Sequence, residues 1–436
     1  MLSVIGLICA LALLIYLSLR GISLFLTTPL CALIVALTGG FNIFGPEGYV
    51  AGYSAGFAAF FRNWFFMFLL GSLFGKLMES SGAADSVANA MVKKFGKHNA
   101  VLSVVAICAV LTYGGVSVFV VAFSAYPMAY SLFRDASIPH RFIPAALAFG
   151  SVTFTMTSAG SPEIQNWIPI KYLGTTPYAA WEVSLVVAVF MAIVGSMWIN
   201  RMVKKAQANN EVFVAPEGVD SKLNEKKTDN LPHPITGMIP LLIVLLTTFF
   251  AHGELKENAL TLSLLAGCIT LAAINYRLVK DKVTEILDDS SYGALMAIAN
   301  TSAVVGFAAV VKLSPAFGIV VSALTGMEGN ELVGAALAIT VVAGITGSAS
   351  GGQTIALPEV APHYLEAGVN ADHLHRIAAL SSGMLDSMPH SGYVVTTIRV
   401  ICKETHQAAY WPLFGLTSIL PISGLVLALI LISFGL

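Results

Sequence analysis

Charge is what this sequence has least of. Its 23 Lys and Arg and 24 Asp and Glu make up only 11% of 436 residues, against 56% hydrophobic residues and a mean hydropathy of +0.80. Soluble domains carry about 25% charged residues, so a soluble globular fold is excluded and a polytopic membrane protein is expected, with the lipid bilayer as its surroundings. A net charge of −1 and the lack of a dense basic run exclude nucleic acid as a partner. Cysteine is also scarce. Cys9, Cys31, Cys108, Cys268 and Cys402 lie singly, with no CxxC and no His-rich neighbour, so neither disulfides nor a zinc site is expected, and nothing in the sequence asks for a metal, nucleotide or redox cofactor. Residues 1–19 lack a preceding basic segment and a small-residue cleavage site, which reads as a retained first span.

What is abundant is long apolar runs. Stretches of about 18 or more apolar residues cross a bilayer as helices, and on that rule unbroken spans fall near 1–19, 22–40, 54–75, 178–200, 235–251, 259–276, 291–311 and 412–435. Two further stretches, 98–133 and 331–365, are too long for one span and are interrupted by small polar residues, at Thr112 to Ser117 and at Thr346 to Thr354. Stretches 141–174 and 376–400 are broken at Thr157 to Pro162 and at Asp386 to Gly392. Unwound backbone in lipid must find hydrogen-bond partners inside protein or beside a wet cavity. One hairpin and one broken span occur in each half, separated by the long polar stretch from Arg201 to Asn230. A short echo, His140-Arg141-Phe142-Ile143 against His375-Arg376-Ile377-Ala378, precedes each broken span.

Five spans plus a re-entrant hairpin per half is an odd number, which inserts the second half upside down. The predicted architecture is therefore all-α, with a first inverted repeat over 1–200, a cytoplasmic linker over 201–233 and a second repeat over 234–436. With the N-terminus outside, 18 of the 23 basic residues fall on the cytoplasmic side, leaving Arg62, Lys171, Lys256, Lys312 and Arg376 outside. Both termini are then expected in the periplasm. Stretches 76–97 and 312–330 alternate apolar and polar residues and read as interfacial helices.

The breaks carry the candidate chemistry. Half-helix ends, free N–H groups and short hydroxyls suit an anion such as a carboxylate. The candidates for substrate binding are Tyr113, Gly114, Gly115 and Ser117 in the first hairpin, and Ser158, Gly160 and Ser161 in the first broken span. The second hairpin offers Ser348, Ser350, Gly351, Gly352, Gln353 and Thr354, and the second broken span His390, Ser391 and Gly392. Ionisable residues inside spans are costly and mark function by default; Asp386, His390 and Glu359 are the candidates for coupling. Asp386 and His390 are four residues apart and share a face if the helix stays intact. Glu163, after Pro162, is placed to cap the half-helix that starts there. No Lys or Arg lies in a break, so a cationic partner for the carboxylate has to arrive from elsewhere, with Arg62 and Arg141 as candidates.

These residues resemble the gluconate:proton symporter (GntP) family of bacterial permeases, hydroxybutyrate permease-like members included. The stretch from Gly75-Lys76-Leu77-Met78-Glu79-Ser80 to Lys94-Phe95-Gly96-Lys97 resembles the family's first interfacial segment, Gly347-Ser348-Ala349 its hairpin tip and Ser391-Gly392-Tyr393 its last turn. The resemblance implies a bacterial inner-membrane secondary transporter of small hydroxy-carboxylates with protons, and an elevator-type dimer. Where gluconate-type members have His-Pro-Gly-Pro this chain has Ser158-Ala159-Gly160-Ser161-Pro162, and Pro389-His390-Ser391-Gly392 replaces Asn-Asp-Ser-Gly. A shorter acid of the hydroxybutyrate kind is expected. Three rivals remain open. Sodium, held by oxygens at Ser348, Ser350 and Thr354, is the alternative coupling ion. An intramembrane serine hydrolase would use Ser350 with His390 or His363 as base. A channel would need a continuous polar face, whereas polarity here is confined to the breaks.

Overall fold

The computed structural model describes residues 2–20, 22–95, 99–216, 231–255, 258–325 and 330–436, and among these every regular element is a helix. The chain opens with α1 (Leu2–Leu19) and α2 (Leu24–Gly39), apolar on all sides as helices between lipid and protein must be. A long helix, α3 (Tyr49–Ser80), turns at Gly82 into the amphipathic α4 (Ala83–Phe95). The first hairpin is α5 (Ala100–Tyr113) and α6 (Val118–Asp135). The first broken span follows. Its near arm is α7 (Ile143–Ala148), continued by a π turn Phe149–Thr153, and its far arm is α8 (Ile168–Leu173). α9 (Trp181–Ala208) closes this half.

The second half contains α10 (Pro234–Leu255), α11 (Asn258–Ile274), α12 (Val283–Leu313) and the shorter α13 (Pro315–Thr325). Its hairpin is α14 (Glu331–Thr346) and α15 (Ala349–Glu366). The second broken span runs through α16 (Ala371–Ser382) to α17 (Gly392–Val395), continued by a π turn Thr396–Ile401. A C-terminal span, His406–Ser433, ends the chain.

Each of the eight unbroken spans expected from the sequence falls on a helix. Among the described residues, Tyr49–Ser80, Trp181–Ala208, Pro234–Leu255, Tyr276–Leu313 and His406–Ser433 are long and apolar enough to cross a bilayer. The polar stretch expected as a linker from residue 201 starts as helix. α9 continues through Arg201, Lys204 and Lys205 to Ala208, because these long side chains are good helix formers and carry their charges outward. The rest of that stretch, 217–230, lies outside the described residues, as do 96–98 and 326–329 at the ends of the two expected interfacial segments.

Close approach between helices comes from small residues, as expected without a hydrophobic drive between segments in lipid. α3 and α12 run antiparallel in contact. A Cβ on Gly56 would stand 2.5 Å from the Ala309 Cβ, and one on Gly306 3.0 Å from the Tyr53 carbonyl. The Ser72 hydroxyl donates to the Ser290 carbonyl at 2.8 Å, and Lys76 pairs with Asp289 at 2.9 Å. In the second hairpin Gly352 faces its partner arm so closely that a Cβ would lie 2.5 Å from the Ala343 Cα.

That last contact makes a test. The Ala343 backbone cannot step aside, so Gly352→Ala is expected to destabilise by about 1–3 kcal/mol, the usual penalty of overpacking. Gly71→Ala, with open space around its Cβ position, is expected to leave stability unchanged. Thermal unfolding in detergent compares the two, and equal melting points would refute the packing account.

Candidate functional site

The two hairpins turn in the same way. At each tip a glycine adopts the left-handed region, Gly115 at φ 90° and Gly347 at φ 59°, where a side chain would be strained. The next residue's N–H then reaches back five residues, from Val116 to the Leu111 carbonyl at 3.0 Å and from Ser348 to the Ala343 carbonyl at 3.2 Å. Orphaned carbonyls of the first arm are thereby satisfied.

The second arms start differently. In the second hairpin the Ser348 hydroxyl caps its own helix by accepting the Gly351 N–H at 3.2 Å. Ser117 in the first makes no such bond, and the Glu163 carboxylate, arriving from the first broken span, faces the Val118 N–H instead. This corrects the role expected for Glu163. It makes no side-chain cap on the turn that follows it, its carboxylate lying instead toward the Val118 N–H of the first hairpin.

The broken spans also share a backbone. Residues 155–161 and 385–391 follow the same succession of bends and turns, offset by 230 positions. Each ends in a matching bond, from the Ser161 N–H to the Ser158 carbonyl at 3.1 Å and from the Ser391 N–H to the Met388 carbonyl at 2.8 Å.

All four breaks meet. Val152 and Met156 of the first broken span and Ala349 of the second hairpin form a small buried cluster, against which Val118 of the first hairpin and Tyr393 of the second broken span pack. The Gly383 Cβ position lies 3.2 Å from Thr157, and that of Gly115 3.8 Å from Pro162. Ser151 and Tyr393 hydroxyls are 3.1 Å apart. Gln353, fully buried, donates through Nε2 to the Gln165 carbonyl at 3.0 Å, the Ala378 carbonyl at 3.2 Å and the Ser382 hydroxyl at 3.1 Å, tying the second hairpin to both broken spans.

The expected site residues fall into distinct places around this junction. Tyr113 and Ser158 line a cavity of about 380 Å³ with Tyr178, Trp181, Ser184 and Phe249. Gly114 packs against Leu241, and Gly160 is pinned by its N–H to the Pro177 carbonyl at 2.9 Å. Ser161 is fully buried and occupied in the turn, its carbonyl accepting from Asn166 Nδ2 and Trp167 Nε1. At the second hairpin the Ser348 and Ser350 hydroxyls are 3.3 Å apart, with Gly351 and Gly352 buried behind them. His390 lies against this tip, its ring 2.7 Å from where a Gly347 Cβ would be. Among the described residues its polar neighbour is the Ile345 carbonyl, with neither ring nitrogen in a well-formed hydrogen bond, and the Oε1 atoms of Gln165 and Gln353 have no partner. Such orphans in a buried place call for a ligand, a water or a proton. Ser391 and Gly392 begin α17, while Thr354, one turn beyond Ser350, opens onto a second cavity.

Other expectations are not brought to the junction. Asp386 accepts from the Ser387 hydroxyl at 2.9 Å and makes no contact with His390 in the hydrogen-bond network, because the turn between them replaces the helix that would have aligned them. Glu359 is exposed and pairs with Lys312 at 2.6 Å. Arg141 pairs with Glu211 at 2.9 Å, away from the breaks. Ser350 has a serine neighbour and no imidazole partner.

Arg376, expected from the sequence on the extracytoplasmic side, and its neighbour His375 are both fully buried. His375 Nδ1 lies 2.6 Å from the Thr175 hydroxyl. The Arg376 guanidinium donates to carbonyls of Thr157 at 2.6 Å, Ala179 at 2.9 and 3.1 Å and Pro177 at 3.4 Å, and to Asn166 Oδ1 at 3.1 Å. It is the cation that knits the first break, with Asp372 one turn earlier as its acidic neighbour and no carboxylate in direct ion-pair contact among the described residues. The signal for it was the echo itself, a His-Arg pair directly ahead of an apolar helical run.

With that geometry in place, comparison with known proteins decides the family: residues 1–350 match the model described as GntP family permease. The chain belongs to the GntP family of permeases. It is 34% identical over 94% of its length, and 94% of the relative's, to the uncharacterized transporter YxjC of Bacillus subtilis. Its fold is similar to that of the YdaH transporter of Alcanivorax borkumensis, with a TM-score of 0.58 at 14% identity over 90% of both chains. MtrF of Neisseria gonorrhoeae, from a class of antimetabolite efflux pumps, gives 0.51 at 14% identity over 85% of this chain and 80% of its own. This permease is a multi-pass membrane protein and a transporter of a small molecule, not an enzyme.

Its buried arginine supplies a prediction. Arg376→Met leaves several carbonyls dry at ~1–3 kcal/mol each, so a loss of at least about 3 kcal/mol is expected, with Arg376→Lys intermediate. Thermal unfolding of the purified permease measures it; a melting point for Arg376→Met equal to the parent's would show that water replaces the guanidinium.

Proposed function

We propose that this permease is a secondary active transporter that carries a small organic monocarboxylate or hydroxy acid, of the hydroxybutyrate or gluconate kind, across the bacterial inner membrane together with protons. The observation that carries the reading is the junction of four helix breaks with the buried His390 imidazole at its edge. Short hydroxyls at Ser158, Ser348, Ser350 and Ser391 and backbone N–H groups of the half-helices receive the carboxylate. Arg376 contributes a fixed positive charge close by, behind Thr157.

Asp386 and His390 serve as the coupling groups, acting separately on the same break. A charge at the bilayer centre costs on the order of 3 kcal/mol on the mildest scale, so taking up a proton with the anion lowers the cost of moving the loaded site. Glu359, held by Lys312, is left out of this role. In this reading residues 1–200 and 234–436 are inverted repeats joined by a cytoplasmic linker, and the termini are periplasmic. Hairpins and broken spans move as an elevator against α3, α11 and α12 in a homodimer. The repeated backbone of the breaks supports the duplication.

Uptake of labelled 3-hydroxybutyrate, gluconate and lactate into proteoliposomes tests this under an imposed pH gradient or an imposed sodium gradient. The pH gradient is expected to drive accumulation of at least one acid. His390→Gln and Asp386→Asn are each expected to lower it about tenfold or more, as loss of a contact to a charged group does. Accumulation driven by sodium alone would replace the proton as coupling ion, and no accumulation under either gradient would overturn the substrate class.

A further inference from the structure

A second cavity, of about 200 Å³, lies on the seam between two sets of helices. On one side α3 and α11 pack together, with the Gly267 Cβ position 3.1 Å from the Phe74 ring. On the other stand α8 and α15, the far arm of the first broken span and the second arm of the second hairpin, joined through Gln353 and Gln165. The cavity's polar lining comes from both sides: Asn63, Asn258 and Thr261 from α3 and α11, Lys171 and Thr354 from α8 and α15. Trp64 and Tyr172 add aromatic walls.

Lys171 separates this place from other polar seams. Lys76, Lys312 and Arg141 each pair with a carboxylate, whereas the Lys171 ammonium makes no ion pair among the described residues and stands 5.9 Å from the Tyr172 ring centroid. Among the described residues no acidic side chain lines the cavity. An exposed ammonium with no ion pair among the described residues, beside two amides, two hydroxyls and two aromatic faces, matches a small organic anion: charge for the carboxylate, amides and hydroxyls for its other oxygens, rings for its carbon chain. The volume holds roughly six or seven atoms of water size, the scale of a four-carbon hydroxy acid. Thr354 places the cavity one helical turn from the second hairpin tip, since its hydroxyl donates to the Ser350 carbonyl at 2.8 Å.

We propose that this cavity is a capture site for a small carboxylate, in which Lys171 binds the anion before it passes to the junction of the breaks. The proposal rests on the carboxylate reading above and adds a station to it. Lining the seam from both sides, the site is remodelled whenever the two sets of helices slide past one another.

The test places a single reporter thiol in the wall. Met67 lines the cavity, and in a chain with Cys9→Ser, which removes the exposed native cysteine, Met67→Cys is labelled with a membrane-impermeant maleimide. Labelling rates are compared in chloride and in 3-hydroxybutyrate, lactate or gluconate at equal ionic strength. At least one carboxylate is expected to slow labelling several-fold; Lys171→Gln abolishes the slowing and Lys171→Arg keeps it. In uptake, Lys171→Gln is expected to raise KM about tenfold with little change in the maximal rate. If no carboxylate protects the thiol, or protection persists in Lys171→Gln, the capture site is refuted even where the parent protein accumulates the acid. Protection without accumulation of any acid would uphold the site and refute the transport reading.

Discussion

Unwound backbone in a dry interior governs this structure. A helix that crosses lipid satisfies its own N–H and C=O groups, and one that breaks halfway must borrow partners from other parts of the chain. Each break here has a lender. Arg376 serves three carbonyls around the first broken span, Glu163 faces the N–H left open at the first hairpin, Ser348 caps the second, and Gln353 reaches across to a carbonyl in each broken span. The four segments are packed against one another because none could exist alone.

The two halves solve the same backbone problem with unequal completeness. In the first broken span the turn is tied off on every side, by Arg376, by Asn166 and Trp167 on the Ser161 carbonyl, and by Ser184 on the Ala159 N–H. The second, with the same succession of turns, has fewer ties: the Ile345 carbonyl beside His390, a neighbouring serine on Asp386 and the Tyr410 hydroxyl on the Ser387 carbonyl. A satisfied break is a fixed wall, and an unsatisfied one has bonding capacity to offer a substrate or a proton. Duplicated backbones with divided labour account for why the candidate chemistry gathers on one side of the junction.

The spans and the places where they break were legible in the sequence, because length of apolar run and clusters of Gly, Ser and Thr are local properties. So was the membership of Tyr113, Ser158, Ser348, Ser350 and His390 in the broken regions. What escaped was everything set by partners about 190 to 220 residues away. Arg376 counted as an extracytoplasmic charge at the start of a broken span, and only the carbonyls of Thr157, Pro177 and Ala179 reveal why it is buried. Glu163 looked like a local cap for the same reason. The His390 and Asp386 spacing suggested one face of a helix, which holds only where the helix is continuous. Lys171 counted in the sequence only as an extracytoplasmic charge, since its meaning depends on a cavity whose other wall comes from α3 and α11.

The reach of Arg376 also bears on how the chain is made. Its carbonyl partners at Thr157, Pro177 and Ala179 leave the ribosome 219, 199 and 197 residues before it does. At ~5–20 residues per second that is an interval of about 10–40 s, during which the first broken span sits in the membrane or its translocation machinery with those groups unserved. Water or another part of the chain has to serve those carbonyls until the second half delivers its arginine.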